Sequence, residues 1–473
     1  MLFNSGAFLI FFPAVTTAYF LLPRCARMPW LLVCSYYFYL CWNPKYILLL
    51  AGCTLVTYAA ARLLTGKSGG IRRGILIAGL SFNLLVLFFF KYYAFGTGLL
   101  ARLFSFAGWR WSPPHFDPVL PVGISFYVFQ ALGYLIDVYR GDIPAERSLP
   151  RYALFVSFFP QLVAGPIERS RSLLAQLEEP KEFDFERLRD GLALMALGYF
   201  EKLVIADRAA VYVDSVYSAW QRASGWQISL ATVLFAVQIY CDFGGYSHIA
   251  IGAARILGIR LMDNFRQPYF AASVREFWRR WHISLSTWFR DYVYIPLGGS
   301  RVSFPRAAAN TLATFLLSGL WHGASLNFAV WGLLNGLLQV AEGLFPRQEA
   351  NTSAGRLLRT LRTFLLVCLT WVFFRARALT TACRMLLRIF THFGAAPMKT
   401  GMPVPQAAVL AVSVLLLFAV DLLRERGFDW ERALPRRPYP LRGLLLLLAA
   451  LLIVVFGHWG PDYSAAAFIY FQF

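Results

Sequence analysis

Residues 74–90 read GILIAGLSFNLLVLFFF, seventeen consecutive residues without a charged side chain. As an α-helix this run reaches about 26 Å, close to the ~30 Å hydrocarbon thickness of a bilayer. Comparable runs cover 7–22, 46–63, 121–139, 191–205, 228–240, 362–374, 406–423 and 441–457, and shorter ones cover 30–42, 151–165, 245–259, 307–320 and 326–345. The series predicts an all-α, polytopic integral membrane protein with about 10–13 membrane helices, besides re-entrant and interfacial helices.

The composition supports a membrane protein and excludes an ordinary soluble domain. Hydrophobic residues make up 58% and charged residues 15% of the 473 residues, and the mean hydropathy is +0.54, whereas soluble domains carry roughly 25% charge. The net charge of +20 comes from arginines and lysines that lie between the apolar runs. The positive-inside rule explains that placement, so we expect a lipid bilayer and no nucleic acid as the partner of these charges.

The charge pattern also predicts a topology. The connection 424–442 is rich in arginine, whereas the tail 458–473 has no arginine or lysine. This bias predicts that the connection is cytoplasmic and the tail extracytoplasmic, and Arg24 and Arg27 after the first run predict an extracytoplasmic N-terminus. No linker divides the chain, so we predict one membrane domain over 1–457 followed by that tail.

No metal site is predicted. The seven cysteines form no CxxC pair and the six histidines form no HExxH motif. A zinc site or a disulfide framework is therefore not indicated.

His322 lies in the apolar stretch 315–332, FLLSGLWHGASLNFAVWG, which also contains Ser318 and Trp321. An ionisable side chain at membrane depth is costly and marks a candidate functional site. Burial favours the neutral imidazole, which is the form that a general base needs. The alternative is a packing histidine that bonds a neighbouring carbonyl group.

The stretch 273–298 places arginines and acids among many aromatic residues, and it contains His282 and Arg280. Helical spacing puts Trp278, Trp281, Leu285 and Trp288 on one face, which predicts an amphipathic helix at the cytoplasmic interface. A membrane anchor without a chemical role, with a structural His282, is the alternative.

Two further segments carry polar groups or unusual composition. In 237–252, VQIYCDFGGYSHIAIG, Asp242 and His248 flank a glycine pair that indicates a helix break or a close backbone approach. A kink with a capping Asp242 is the structural alternative to a chemical role. The last six residues, 468–473, read FIYFQF, and their alternative role is an interfacial aromatic anchor.

Together these segments resemble the membrane-bound O-acyltransferase (MBOAT) superfamily, in its bacterial branch of alginate O-acetylase and teichoic acid D-alanyl transferase. The resemblance rests on MLFNSGAFLIFF at the start, LVAGPIER, QIYCDFGGYSHIAIG, FWRRWHISLSTWFRDYVYIPLGG and LWHG. The family run DFSGYSD differs here, because Gly244 replaces its serine and His248 replaces its second acid.

The resemblance implies an MBOAT fold and assigns site residues. The LWHG motif implies that His322 is the principal catalytic histidine, and the WHISLS motif implies a second one at His282. The terminal hexapeptide looks like the family's acyl shuttle, so Tyr470 would receive the acyl group. We further expect donor or tunnel contacts from Trp321, Ser318, Asp242, Asn264 and Arg280.

The implied reaction moves an acyl group, most simply acetyl, from a cytoplasmic thioester to Tyr470. Acetyl-CoA or a carrier-protein thioester would be the donor substrate, with no resident cofactor. A serine-nucleophile O-acyltransferase outside the bacterial inner membrane would then pass the group to an envelope polymer or exopolysaccharide such as alginate. Two alternatives remain at this point: an enzyme that acylates a lipid or protein directly, and a transporter.

Overall fold

A computed structural model of the chain describes residues 1–114, 116, 120–163, 165–179, 181–345, 352–428, 433, 438–458 and 468–469. These residues form helices joined by loops, and no strand occurs within the described ranges. The prediction of an all-α protein is confirmed. The described residues group into two compact units.

The first unit comprises Met1–Asp184, Ala254–Met262 and Gly323–Ser325. Its α-helices span Gly6–Leu21, Arg24–Leu40, Ile47–Leu64, Gly69–Leu87, Tyr93–Phe106, Ile124–Arg140, Leu149–Ser157, Phe159–Leu162 and Ser170–Glu178, with a 3₁₀ turn at Pro44–Tyr46 and a π-helical turn at Phe88–Tyr92. The helix Ile124–Arg140 forms much of its core, since thirteen of its seventeen residues are buried.

The second unit comprises Phe185–Ala253, Asp263–His322 and Leu326–Phe473. Its described α-helices are Phe185–Tyr199, Asp207–Ser218, Gly225–Ile256 as far as Ala253, Val274–Arg280, Ile283–Phe289, Phe304–His322, Leu326–Leu344, Ser353–Arg375, Leu379–Thr391, Val404–Glu425 and Tyr439–Phe456. Its described residues also form a 3₁₀ turn at Pro268–Phe270 and π-helical segments at Phe200–Ala206 and Arg290–Tyr294. His282, His322 and Asp242 all belong to this unit.

Six helical segments among the described residues are long and apolar enough to cross a membrane. They are Pro44–Leu64, Gly69–Phe106, Gly225–Ile256, Ser353–Arg375, Val404–Glu425 and Tyr439–Phe456, and Gly6–Leu21 is a shorter apolar helix. The chain is therefore a multi-pass membrane protein. The larger predicted count of membrane helices stays a prediction, as does the division into one membrane domain and a tail.

The glycine pair does not break a helix, contrary to one of the two expectations for 237–252. A single helix runs through Gly225–Ile256, and Gly245 instead allows another helix to approach. A Cβ atom on Gly245 would lie only 2.6 Å from the carbonyl oxygen of Gly198. Asp242 is thus a mid-helix residue whose side chain is available for other contacts, and it does not cap a kink.

Candidate active site

His322 is the last residue of the helix Phe304–His322, which packs closely on the helix Leu326–Leu344. The close packing depends on glycine, because a Cβ atom on Gly319 would lie 3.1 Å from the Cα atom of Gly332. Small residues at such a crossing let two backbones approach within a membrane protein. The glycines at this crossing therefore allow the imidazole of His322 to lie against the helix Leu326–Leu344.

The His322 ring is enclosed by aromatic side chains and is only 4% exposed. Its centroid lies 5.0 Å from the Trp321 ring, 5.1 Å from the Trp331 ring and 5.4 Å from the Phe374 ring. The Trp331 ring meets the imidazole almost perpendicularly, at 89°. Aromatic walls exclude water, and exclusion of water strengthens the electrostatic effect of any polar group inside the site.

The stretch 273–298 does not form the single amphipathic helix that its spacing predicts. Two short helices, Val274–Arg280 and Ile283–Phe289, meet at a break where His282 has φ 43° and ψ 55°. This left-handed conformation costs a non-glycine residue about 1–2 kcal/mol, and such outliers are concentrated at functional sites. The break turns His282 inward, and its side chain is completely buried.

Asn264 holds the His282 ring through a buried hydrogen-bond network. The side-chain oxygen of Asn264 lies 3.0 Å from His282 Nδ1 and accepts a hydrogen bond from Ser284 Oγ at 2.9 Å. The Asn264 amide group donates to Ser247 Oγ at 3.1 Å, which assigns the oxygen to the histidine side. His282 therefore carries its proton on Nδ1, and Nε2 is the basic nitrogen of the ring.

The backbone reinforces the same arrangement. The N–H group of Ile283 donates to the Asn264 carbonyl oxygen at 2.9 Å, and the N–H group of Arg266 donates to the Arg280 carbonyl oxygen at 2.9 Å. The loop that carries Asn264 is thus bonded to the chain on both sides of His282. These bonds stabilise the strained residue and fix the direction of its ring.

The two predicted catalytic histidines lie close together. Their ring centroids are 6.3 Å apart, and the Trp321 ring lies 5.8 Å from His282. In the sequence, His282 lies between the candidate spans Gly225–Ile256 and Ser353–Arg375 and belongs to neither. Burial lowers the pKa of His282 to about 3, so its ring is neutral at physiological pH. Two imidazoles at this separation can both contact one small reacting group, in a setting suited to general base catalysis.

Asp242 lies in a buried ion cluster that the sequence analysis did not identify. Its Oδ1 atom is 2.6 Å from the Lys202 ammonium group, which also donates to Asp207 Oδ1 at 2.7 Å. Its Oδ2 atom accepts a hydrogen bond of 2.7 Å from the backbone N–H group of Ile469. Glu201 and Lys202 interrupt the apolar run 191–205, and Asp207 follows it closely. Charged residues in or beside an apolar run were the signal available for finding this cluster.

His248 pairs with Glu201, which precedes Lys202 in the chain. Its Nδ1 atom lies 2.6 Å from Glu201 Oε2, and the Glu201 carboxyl group is buried. The π-helical segment Phe200–Ala206 carries both Glu201 and Lys202. π-Helical turns inside α-helices often occur at functional sites.

The remaining predicted residues have different surroundings. Ser318 is buried one turn before His322 on the same helix. Arg280 forms an ion pair of 2.6 Å with Glu425 and a second ion pair with Glu276. It therefore links the helix Val274–Arg280 to the helix Val404–Glu425. A donor-contacting role for Arg280 stays a prediction. Tyr470 lies outside the described residues.

Comparison with known proteins identifies the class. The sequence pattern that defines the MBOAT, membrane-bound O-acyltransferase, family matches residues 142–378, a range that includes His282, His322, Asn264 and Asp242. The chain belongs to this family, and it is an O-acyltransferase. The resemblance found in the sequence motifs is confirmed.

Individual relatives cover the chain more fully. It is 36% identical over 508 aligned residues to a probable alginate O-acetylase of Pseudomonas putida, with all of both chains covered. It is 40% identical to the probable alginate O-acetylase of Pseudomonas aeruginosa, over 83% of this chain and 75% of that one. A peptidoglycan O-acetyltransferase of Helicobacter pylori is 34% identical over 82% of this chain and 79% of its own.

Proposed function

We propose that this enzyme moves an acetyl group from a cytoplasmic thioester, most simply acetyl-CoA, to the phenol of its own Tyr470. A partner transferase with a serine nucleophile would then carry the group to an extracytoplasmic polysaccharide. The protein would lie in a bacterial inner membrane with both termini extracytoplasmic, as the charge pattern predicts. The similar proteins named for O-acetylation of alginate and of peptidoglycan support acetyl as the acyl group and a polymer as its destination.

The observation that carries the proposal is the pair of buried histidines, with ring centroids 6.3 Å apart inside an aromatic enclosure. A general base must be neutral and within reach of the proton that it removes. A tyrosine phenol, with an unperturbed pKa of about 10, gives up that proton more readily than an aliphatic alcohol. The enclosure excludes water, which would otherwise hydrolyse the thioester.

The proposed step conserves atoms and charge. The phenol oxygen of Tyr470 attacks the thioester carbonyl carbon while His322 takes the phenol proton. The carbon–sulfur bond breaks, and the leaving sulfur receives a proton from the His322 imidazolium, which gives a tyrosyl ester and a free thiol. Because Asn264 occupies the Nδ1–H group of His282, that histidine would act through the Nε2 lone pair and would not donate a hydrogen bond to the oxyanion.

The neighbours of Tyr470 support its role as the acceptor. Phe468 and Ile469 are both buried in the second unit, and Phe468 contacts Phe243, whose ring lies 4.6 Å from that of His282. A tail that served only as an interfacial anchor would leave these apolar side chains facing lipid. The buried position favours a segment that delivers its tyrosine to the histidines.

The test is mass spectrometry of the C-terminal peptide from protein incubated with acetyl-CoA in nanodiscs. Wild-type protein should gain one acetyl group on Tyr470, whereas His322→Ala should reduce the rate of transfer by a factor of about 10² to 10⁴. Matched controls are His392→Ala and Tyr439→Phe, which alter an exposed histidine and an exposed tyrosine. Both controls should retain the wild-type rate.

Two outcomes would contradict the proposal. Normal polymer acetylation by Tyr470→Phe would eliminate the shuttle, and normal turnover by His322→Ala would eliminate the general base. An acetylated lipid or protein, formed without any partner transferase, would instead indicate direct acylation. Family membership already counts against the transporter alternative.

A further inference from the structure

We infer that Asp242, Tyr246 and Phe243 form a binding site for the C-terminal segment of the chain, which holds the acceptor tyrosine within reach of the histidine pair. The ligand of this site is an aromatic peptide that offers a backbone N–H group directly after a buried phenylalanine. The inference rests on the proposed function, because it assigns the place where the acyl acceptor docks.

The first contact is polar and buried. The two carboxylate oxygens of Asp242 have different partners: Oδ1 contacts Lys202 at 2.6 Å, and Oδ2 accepts from the N–H group of Ile469 at 2.7 Å. Lys202 fixes the carboxylate, and the backbone of the tail satisfies its second oxygen. A charged acceptor makes a stronger hydrogen bond than a neutral one, and the bond persists only while the tail is docked.

The second contact is aromatic. Phe468 is 0% exposed, and its ring stacks on that of Tyr246 with centroids 4.3 Å apart and an interplanar angle of 29°. Its ring centroid is 6.4 Å from that of Phe243. Phe243 in turn meets the His282 ring edge-on at 4.6 Å. The Phe243 side chain therefore contacts both the docked segment and the second histidine.

A third contact holds the beginning of the tail. The N–H group of His458 donates to the Leu203 carbonyl oxygen at 2.9 Å. Leu203 belongs to the π-helical segment Phe200–Ala206, which also carries Lys202. The tail is thus attached at His458 and again at Ile469 to neighbouring parts of one polar cluster.

These contacts have a consequence for the reaction. Tyr470 follows Ile469 directly in the chain, and consecutive Cα atoms are 3.8 Å apart, so docking of Ile469 limits the distance over which the phenol can move. A docked acceptor samples fewer positions than a loosely tethered one, so docking raises the effective concentration of the phenol near the histidines. Asp242 is accordingly a positioning residue, and its effect on the rate acts through the tail.

The experiment uses the full-length protein in nanodiscs and compares wild type with Ile469→Pro and Asp242→Ala. Proline removes the N–H group that donates to Asp242 and leaves the Asp242–Lys202 pair unchanged, so this variant is informative even if Asp242→Ala fails to fold. The matched control is Asp421→Ala, which removes another buried carboxylate of the unit, one that accepts from the Tyr240 hydroxyl group at 2.9 Å. Two measurements are made: hydrogen exchange of the C-terminal peptide, and the single-turnover rate of acetyl transfer to Tyr470.

In Ile469→Pro and Asp242→Ala, exchange of the C-terminal peptide should accelerate. The transfer rate should fall by about tenfold or more, the effect expected of the charge-assisted hydrogen bond to Ile469 that both variants lose. Asp421→Ala should leave the exchange unchanged. A synthetic peptide of sequence FIYFQF, added in excess to Ile469→Pro protein, should be acetylated, because the binding site and the histidines remain intact.

The outcomes separate this inference from the proposed function. Equal exchange and equal transfer in wild type and Ile469→Pro would overturn the binding site. Absence of an acetyl group on Tyr470 in wild-type protein would overturn the proposed function, while the exchange measurement would still decide whether the segment docks on Asp242.

Discussion

The orientation of His282 depends on one asparagine, and the effect of removing it can be worked out from the structure. Asn264→Ala eliminates side-chain hydrogen bonds to His282 Nδ1, Ser284 Oγ and Ser247 Oγ, at 3.0, 2.9 and 3.1 Å. Each buried partner left unsatisfied costs about 1–3 kcal/mol, so partial relaxation gives a total loss of stability of roughly 3–6 kcal/mol. The single bond that orients His282 joins two neutral groups and is worth about 0.5–1.5 kcal/mol, which predicts a fall in transfer rate of roughly 2- to 10-fold.

The assay measures acetyl transfer per folded molecule, so that lost protein is not counted as lost catalysis. Asn310→Ala is the matched control, because Asn310 is also buried and donates to the Gly299 carbonyl oxygen at 3.2 Å. Both variants should melt at a lower temperature, but only Asn264→Ala should transfer more slowly once folded. A full transfer rate in folded Asn264→Ala protein would refute a positioning role for the asparagine.

Burial lowers the pKa of His282 to about 3 in the folded protein, whereas in the unfolded chain this histidine has a pKa near 6.5. Because the unfolded chain then binds the proton more readily, the free energy of unfolding should fall as the pH drops below about 6.5, by at most about 1.4 kcal/mol per pH unit. Melting curves of His282→Gln should show a shallower pH dependence than wild type, and parallel dependences would contradict this. Gly245→Leu should destabilise the protein by about 1–3 kcal/mol or more, because its Cβ atom would lie 2.6 Å from a carbonyl oxygen; Gly443→Leu, which has open space at that position, is the control in thermal melts. Arg280→Ala and Glu425→Ala should be non-additive, with a coupling energy of about 1–2 kcal/mol in a double-mutant cycle, and simple additivity would show that their 2.6 Å ion pair contributes nothing.

The helical segments were predictable to different degrees. The run 74–90 indicated a helix that the structure places at Gly69–Leu87, because an uninterrupted apolar run favours that conformation in a bilayer whatever its neighbours are. Across 273–298 the helical spacing indicated one helix, yet the chain breaks at His282. The break is stabilised by Asn264, which comes from another loop, and a periodicity analysis contains no information about that contact.

The residues of the candidate site could likewise be predicted only in part. The motifs selected His322 and His282 individually, but their separation of 6.3 Å depends on the packing of the helix Phe304–His322. Lys202 was missed, since one lysine in an apolar run does not show which carboxylate neutralises it. The glycine pair near Gly245 indicated either a break or a close approach, and only the neighbouring helix decides between them.

The sequence by itself determined that this chain is helical, crosses a membrane and carries the motifs of an O-acyltransferase family, because run length, charge bias and local motifs are properties of neighbouring residues. Only the tertiary structure decided which distant groups meet, such as the Asp242 carboxylate and the N–H group of Ile469, 227 residues apart. A buried charge in a low-dielectric interior is stable only beside suitable partners, and the packing of the helices determines which partners those are.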